Sequence, residues 1–370
     1  MRRGVAVLIG LVAGLLTGVV PVSAAVIIVE YAIPNSGPNG IVTGPDGNLW
    51  ITDAGNNSID RFTLSGTVTA FPLPTANVIP NEITVGPDGK LWFLEFNGAP
   101  TVKIGKITTG GTVTEYATNS GFTSGITAGP DGNIWFNARD LFSVARMTPT
   151  GTETDYPVPG NPASADPIAI TAGPDGNLWV TDESQNKIWK VTTSGGFTGY
   201  ALPPTPNRGA NSITVGSDGN LWIGEPGNNS IGRMTTGGLL LGEFPIPTPN
   251  AGVAGIAKGP DGNVWFTENS ANQIAVVTPA GAITEFPIPT ANSLPRRPTA
   301  GPDGNVWFPE NVGNIAKVVQ RPQAPPTWRK LAPIGSPGAV PPPPWYTKTT
   351  AATMPVVSAR RWSTSASVRR

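Results

Sequence analysis

Carboxylates recur at one position of a repeated segment, nine residues after the first glycine of a recurring GPDG tetrapeptide. They are Asp53, Glu95, Asp182, Glu225, Glu268 and Glu310, and the seventh such position is Ala138. Clustered like charges repel, so such acids must be protonated, hydrogen-bonded or neutralised by a cation. Mg²⁺ or Ca²⁺ would suit all-oxygen ligands, and Glu225, Glu268 and Glu310 are the candidate metal ligands. In the structural alternative, each carboxylate accepts backbone N–H bonds from the loop of the adjacent blade.

The chain contains no histidine and no cysteine. This excludes Ser-His-Asp and Cys-His catalysis, histidine-ligated zinc or copper, and an imidazole base that titrates near neutrality. No phosphate-binding P-loop motif or dinucleotide fingerprint is present. Catalysis would have to use carboxylates, lysine, arginine, tyrosine or a metal-bound water. A glycosidase-like carboxylate pair fits the residue types, although the spacing does not distinguish an acid from a base.

The segments that position the carboxylates repeat seven times. GPDG, or GSDG in one copy, begins at Gly44, Gly86, Gly129, Gly173, Gly216, Gly259 and Gly301, at spacings of 42 to 44 residues. Six residues after each first glycine stands a tryptophan: Trp50, Trp92, Trp135, Trp179, Trp222, Trp265 and Trp307. A period of about 40 to 45 residues is typical of four-stranded propeller blades. The sequence therefore predicts an all-β, seven-bladed β-propeller of four-stranded antiparallel blades.

The sixth repeat illustrates one predicted blade. Its four strands are predicted at residues 255–258, 263–268, 273–278 and 282–287. GPDG joins the first two strands as a hairpin, because its proline presets φ and its last glycine supplies a positive φ. The chain then enters the second strand, and the carboxylates at its end are expected to surround the top mouth of the central channel.

The count of fourth strands predicts how the ring closes. Their pattern occurs six times against seven sets of the first three strands, and the missing copy matches residues 28–33 (IVEYAI), ahead of the first repeat. We predict that this N-terminal strand completes the last blade, which removes two open sheet edges.

Two other repeated residue types have structural interpretations. The tryptophans recur in every repeat and are expected to pack between blades, whereas a ligand-stacking aromatic would occur in one or two blades. Asparagines stand thirteen residues after the first glycine at Asn57, Asn186, Asn229, Asn272 and Asn314. We expect these to form turns with positive φ rather than to bind ligands.

Composition divides the chain into three segments. Residues 1–24 have the pattern of a secretory signal peptide, with an uncleaved anchor as the alternative. The propeller spans residues 25–319, with 14 Lys and Arg against 24 Asp and Glu, so we expect no nucleic-acid partner. Residues 320–370 form a proline-rich tail with eight basic residues and no acid, typical of a disordered segment. We expect a monomer that is secreted or held at the cell envelope, where the tail either contacts anionic polymer or lipid or is inert.

A resemblance to the virginiamycin B lyase (streptogramin lyase) family is carried by ITAGPDGNLWVTD and by GPDGNVWFTENSANQIAVVTPAGAITEFPIPT, and it covers about residues 26–319. It implies the seven-bladed fold, N-terminal closure and a Mg²⁺-assisted elimination that opens cyclic depsipeptide antibiotics with a histidine base. The family pattern places histidines five residues before GPDG in the last two blades and an essential glutamate at the end of the last WFTE. Those positions are Ala254, Arg296 and Glu310 in this chain. The glutamate is present and both histidines are absent, and an Arg296–Glu310 salt bridge is an alternative to metal binding there.

Two functions remain as hypotheses. The first is a ligand-binding or scaffold propeller that recognises a small molecule, peptide or glycan at its top face. The alternative is a Mg²⁺-dependent carbon–oxygen lyase or a lactonase-like hydrolase, with Glu310 as the catalytic residue. Saturable binding of Mg²⁺ or Ca²⁺ separates the two.

Overall fold

A computed structural model describes residues 26–320, except 35, 99–101, 161–164 and 204–208. The chain divides into two units, Met1–Gln323 and Ala324–Arg370, and the second lies outside the described residues. The predicted signal peptide (1–24) and, beyond Gln320, the predicted basic tail also lie outside them. Within the described part, no helix has the length and apolar character needed to cross a bilayer.

The described residues form seven antiparallel sheets of four strands each, as predicted. The first described strand is β1 (Val26–Ala32). Blade 1 contains β2 (Pro38–Thr43), β3 (Leu49–Asp53), β4 (Ser58–Phe62) and β5 (Val68–Pro72); blade 2 contains β6 (Ile79–Val85), β7 (Leu91–Phe96), β8 (Lys103–Ile107) and β9 (Val113–Ala117). Blade 3 contains β10 (Thr123–Ala128), β11 (Ile134–Ala138), β12 (Ser143–Met147) and β13 (Glu153–Pro157), with a short 3-10 helix at Arg139–Leu141.

The remaining blades continue the same order. Blade 4 contains β14 (Pro167–Ala172), β15 (Leu178–Asp182), β16 (Lys187–Val191) and β17 (Phe197–Ala201). Blade 5 contains β18 (Ser212–Val215), β19 (Leu221–Glu225), β20 (Ser230–Met234) and β21 (Leu240–Pro245), with a 3-10 helix at Pro226–Asn228. Blade 6 contains β22 (Val253–Lys258), β23 (Val264–Glu268), β24 (Gln273–Val277) and β25 (Ile283–Pro287). Blade 7 contains β26 (Thr299–Ala300), β27 (Val306–Glu310) and β28 (Asn314–Gln320).

The four strands of each blade are called A to D in the order of the sheet. A strands of neighbouring blades contact one another around the whole ring, which places them next to the central axis. Strand B therefore lies behind strand A as seen from the channel. Six of the seven B strands are buried along their whole length and β7 is buried except at Phe96, because both faces of a B strand are covered by neighbouring blades.

The N-terminal strand closes the ring, as predicted. β1 pairs with β28 in an antiparallel register from Val26↔Gln320 to Ala32↔Asn314 and so becomes strand D of blade 7. In blades 1 to 6 an aromatic side chain of strand D stacks on the tryptophan of its own blade. Tyr31 of β1 stacks in the same way on Trp307, with ring centroids 5.6 Å apart. The closing strand therefore supplies both the hydrogen bonds and the aromatic contact of an ordinary D strand.

The tryptophans pack between blades, as predicted. All seven are 0–1% exposed, and each contributes to a core cluster shared with the following blade, including that of Trp307 with blade 1. In every blade the indole N–H donates to the aspartate of the GPDG turn, as Trp50 does to Asp46 at 3.0 Å. A Cβ on Gly44 would lie 2.4 Å from the Trp50 ring, so the first glycine of the motif is required by the indole.

The repeated asparagines form turns, with one exception. Asn57, Asn186, Asn229 and Asn272 have φ between 50° and 57°. Asn314 does not follow this pattern, because it already lies in β28 and donates its side-chain N–H to Glu310. Gly313, with a φ of 104°, takes the left-handed position in that blade.

Candidate functional site

A cavity of about 240 Å³ opens into the channel at the end where the A strands begin, opposite the GPDG turns. Its walls come from the first residues of the A strands, or from the segments that lead into them, in six of the seven blades. Two consecutive positions of the repeat supply most of the lining. They lie five and four residues before the first GPDG glycine and are called here the outer and inner ring positions.

The outer ring holds mainly polar side chains. Its members in blades 1 to 7 are Asn39, Asn81, Ser124, Ile168, Asn211, Ala254 and Arg296, and all except Ser124 line the cavity. The inner ring holds mainly small residues, in the same order Gly40, Glu82, Gly125, Ala169, Ser212, Gly255 and Arg297. The two positions at which the family resemblance implies histidines, Ala254 and Arg296, therefore both face the cavity.

Three outer-ring side chains hold neighbouring blades together. Asn39, Ser124 and Asn211 each donate to a backbone carbonyl at the start of the next blade, at 3.3, 3.1 and 2.9 Å. Arg296 differs from them. Its backbone N–H donates to the Pro309 carbonyl at 2.9 Å, while its side chain is exposed and makes no hydrogen bond or ion pair with any described residue.

Only Glu82 and Arg297 depart from the small inner ring, and they pair with each other. The Arg297 guanidinium donates to the Glu82 carboxylate at 2.8 Å, across 215 residues of sequence. The two residues belong to blades 2 and 7, on either side of blade 1, whose own inner-ring residue is Gly40. This ion pair therefore links two non-adjacent blades at the mouth of the channel.

Local sequence explains how Arg297 reaches this position. The next residue is Pro298, where the other six repeats have a buried isoleucine, and proline cannot donate to a strand ladder. Strand A of blade 7 is consequently reduced to Thr299–Ala300. The backbone of Arg297 also passes close to blade 6, since a Cβ on Gly255 would lie 2.5 Å from the Arg297 Cα.

The repeated carboxylates do not surround the mouth, which corrects the expectation drawn from strand direction. Asp53, Glu95, Asp182, Glu225, Glu268 and Glu310 are each 0–1% exposed, and none lines the cavity. They end B strands, and strand A stands between strand B and the axis. The alternation of side chains in a buried strand could not reveal this, because both faces of a blade are covered.

The two aspartates accept hydrogen bonds, as the structural alternative predicts, but the donors belong to their own blade and not to the adjacent blade's loop. Asp53 accepts the backbone N–H groups of Gly37 and Gly55, both at 2.9 Å. Asp182 accepts the N–H of Asp166 at 3.0 Å and the indole N–H of Trp189 at 3.0 Å. The short aspartate side chain thus satisfies the turn and loop around it.

Two of the glutamates are buried without a hydrogen-bond donor. Both carboxylate oxygens of Glu95 and of Glu268 lack a partner. Burial raises the pKa of Glu95 to about 8, with a further increase from Glu115 and a partial decrease from Lys103. Burial likewise raises the pKa of Glu268 to about 8, and Glu285 adds to the effect. A pKa raised in this way favours the protonated form of both carboxyls near neutral pH.

Glu310, the counterpart of the family's essential glutamate, is also buried. Burial raises its pKa to about 7 against the opposing hydrogen bond from Asn314, and Glu30 raises it further. The Asn314 side chain donates to one carboxylate oxygen at 3.0 Å. The Arg296–Glu310 salt bridge considered above does not form; the arginine that pairs at this mouth is Arg297, with Glu82.

The residues present do not fit a divalent cation in the cavity. Among the described residues no group of three or more Asp or Glu side chains is placed to hold a metal, so Glu225, Glu268 and Glu310 are not brought together as ligands. Glu82, the one carboxylate that lines the cavity, is engaged by Arg297, and Arg296 adds a second positive charge. A cation would meet repulsion here rather than ligands.

Seven four-stranded blades in a ring, with a cavity at the end where the A strands begin, define a β-propeller. The chain belongs to the virginiamycin B lyase family, whose model matches residues 17–208 and 160–341. No curated protein matches the chain.

Solved structures agree with this assignment. Virginiamycin B lyase from Staphylococcus aureus is 36% identical, with a TM-score of 0.73, over 80% of this chain and 99% of that one. A streptogramin B lyase structure is 36% identical, with a TM-score of 0.74, over 80% and 98%. A catalytically inactive histidine-to-alanine variant of the Staphylococcus aureus enzyme, with quinupristin, is 35% identical, with a TM-score of 0.74, over 80% and 99%.

Proposed function

We propose that this protein is an exported ligand-binding propeller with the fold of a streptogramin lyase and without its chemistry. The observation that carries the proposal is the identity of the two cavity residues at the family's histidine positions, Ala254 and Arg296. Neither side chain supplies an imidazole as a general base. Loss of a general base typically lowers a rate by about 10² to 10⁴. The cavity holds no substitute, because its carboxylate, Glu82, is ion-paired.

The cavity has the character of a recognition site. It is concave and combines asparagine side chains with the apolar groups of Ile41, Ile83 and Ile168. Small-molecule sites generally pair an apolar lining with a few polar groups that fix orientation. A small molecule, a peptide end or a glycan unit would fit this description.

Incubation with quinupristin in the presence of Mg²⁺, followed by mass spectrometry, tests whether lyase activity is absent. We expect the antibiotic to remain cyclic. A double variant, Ala254→His with Arg296→His, restores imidazoles at both positions, and any gain of linear product would assign the loss to them. Asn211→His, at the same ring position of blade 5, is the matched control. Turnover by the unaltered protein would contradict the proposal.

The alternative, a Mg²⁺-dependent lyase or a lactonase-like hydrolase, predicts a bound divalent ion. Calorimetric titration with Mg²⁺ and with Ca²⁺ separates the two functions, and we expect no saturable heat. Saturable binding that disappears in Glu310→Gln would support the alternative and contradict the binding role.

Export is proposed from residues 1–24, whose pattern is that of a secretory leader. N-terminal sequencing of protein recovered outside the producing cell should find a chain that starts near Ala25. The tail beyond residue 320 is proposed to be independent of the propeller, so its deletion should leave the melting temperature unchanged. Recovery of the uncleaved chain, or a large fall in melting temperature, would contradict these two points respectively.

A further inference from the structure

We propose that the cavity recognises a single carboxylate group on a small, partly apolar ligand, at the place where the family fold leads one to expect a divalent cation. This inference rests on the proposed binding function and names the class of ligand. Three features support it: the charged side chains that line the cavity, the ion pair that already neutralises two of them, and the apolar surface beside them.

The side chains that line the cavity carry a net positive charge. Its charged lining residues are Arg296, Arg297 and Glu82. Arg297 and Glu82 neutralise each other at 2.8 Å, which leaves the charge of Arg296 uncompensated by any described residue. A guanidinium presents paired donors whose geometry matches a carboxylate, and such charge-assisted bonds are stronger than neutral ones.

A second donor stands in the same ring. The side-chain amide of Asn81 lines the cavity and makes no hydrogen bond with a described residue, unlike the amides of Asn39 and Asn211, which contact the next blade. Arg296 and Asn81 are thus the outer-ring donors left available to a ligand. Neither is needed to join blades.

The surroundings favour one negative charge over two. A doubly charged group, such as phosphate, would place its second charge near Glu82, whose carboxylate lies in the same cavity. Ile41, Ile83 and Ile168 give an apolar wall for the rest of the ligand. A carboxylate attached to an apolar body satisfies both features.

A pair of probes that differ in one group tests the proposal. N-acetylleucine carries the carboxylate, and N-acetylleucinamide has the same shape without the charge. We expect the acid to bind the protein, by calorimetry and ligand-observed NMR, and the amide and inorganic phosphate to bind more weakly. Equal binding of acid and amide, preference for phosphate, or no binding of the acid would each overturn the carboxylate assignment.

Variants locate the interaction. Arg296→Gln should weaken binding of the acid by about tenfold or more, the usual loss for a charge-assisted bond. Lys90→Gln, which removes one charge in the GPDG turn of blade 2 at the opposite end of the channel, should leave it unchanged. Melting curves of both variants verify folding. An unchanged affinity in folded Arg296→Gln would overturn the proposal.

Glu82→Gln should change the affinity for the acid in the opposite direction to Arg296→Gln. It frees Arg297 and raises the net charge of the cavity, so the acid should bind several-fold more tightly; weaker binding would contradict the proposal. The quinupristin assay tests the proposed function separately, because it measures turnover and does not depend on the identity of the ligand. Absence of turnover together with equal binding of acid and amide would reject the carboxylate while leaving a binding propeller intact.

Discussion

The two ends of strand B carry carboxylates with opposite protonation behaviour. At the GPDG end, burial acts to raise the pKa of Asp46, Asp175, Asp218 and Asp303, yet hydrogen bonds from the neighbouring tryptophan and asparagine, preceded at Asp175 by one from Lys190, hold it below its usual value. At the other end, burial raises the pKa of Glu95, Glu268 and Glu310 to about 8, 8 and 7. Both sets belong to the same repeat, and what separates them is the supply of donors.

The supply of donors also differs between the aspartates and the glutamates that share one repeat position. Asp53 and Asp182 stand at the same repeat position as the three glutamates and accept backbone N–H groups from their own turn, through Gly55 and Gln185. The glutamate side chain is one methylene longer. Glu95 and Glu268 accept no hydrogen bond from a described residue at this position, and the charge of Glu285 on the outer strand raises the pKa of Glu268 further.

The largest expected effect is on the pH dependence of stability. The pKa of Glu268 rises from 4.5 to about 8 on folding. Its contribution to stability is therefore full below pH 4.5 and is lost as the pH rises through 8, at up to about 1.4 kcal/mol per pH unit. Glu268→Gln removes this loss. Denaturant unfolding at pH 5, 6.5 and 8 should give a shallower decline for the variant, which becomes more stable than the unaltered protein at pH 8.

The matched control for this slope is Glu183→Gln, because Glu183 is exposed in a turn of blade 4. Its pH profile should coincide with that of the unaltered protein. If Glu268→Gln also kept the original slope, the buried acid would not hold its proton, and the contrast between the two strand ends would fail.

The fold was predictable because its determinants are local and repeated. Each GPDG turn contains the aspartate that accepts the indole N–H four residues later, so turn and packing residue are read from one short segment. The closing strand was predictable for the same reason, since Tyr31 takes the place of the missing aromatic of strand D. Because the segment repeats, its spacing alone predicts the blades, and no contact between distant residues has to be known.

The cavity was less predictable, because its key contact joins residues 215 positions apart. The direction of the strands predicted the correct end of the channel. It predicted the wrong lining, because the starts of the A strands line the cavity and the ends of the B strands do not. The informative signal was a departure from the repeat: the charged Glu82 and Arg297 at a position that is otherwise small, and Pro298 where six repeats have isoleucine. Ala254 and Arg296, the two sequence positions that the resemblance singled out, both line the cavity.

A smaller effect is expected at the GPDG end. Asp175 accepts from Trp179 at 3.1 Å and from Lys190 at 2.9 Å. Asp175→Ala leaves the buried indole N–H without an acceptor and should cost about 1–3 kcal/mol in denaturant unfolding at pH 7. Asp175→Asn keeps an oxygen for the indole and should cost less. Equal losses in the two variants would mean that the charge, and not the indole bond, sustains this turn.

The smallest effect is expected for Glu82, the carboxylate that lines the cavity. Glu82 belongs neither to the aspartates of the GPDG turns nor to the buried glutamates, because its hydrogen-bond donor comes from another blade. Arg297 and Glu82 are 31% and 22% exposed, so their ion pair should contribute about 0.2–1 kcal/mol and weaken with added salt. Glu82→Gln should therefore lower stability slightly while it strengthens binding of N-acetylleucine. Opposite signs in the two measurements would identify the pair as a control on ligand affinity, whereas a large loss of stability with unchanged affinity would make it a structural tie between blades 2 and 7.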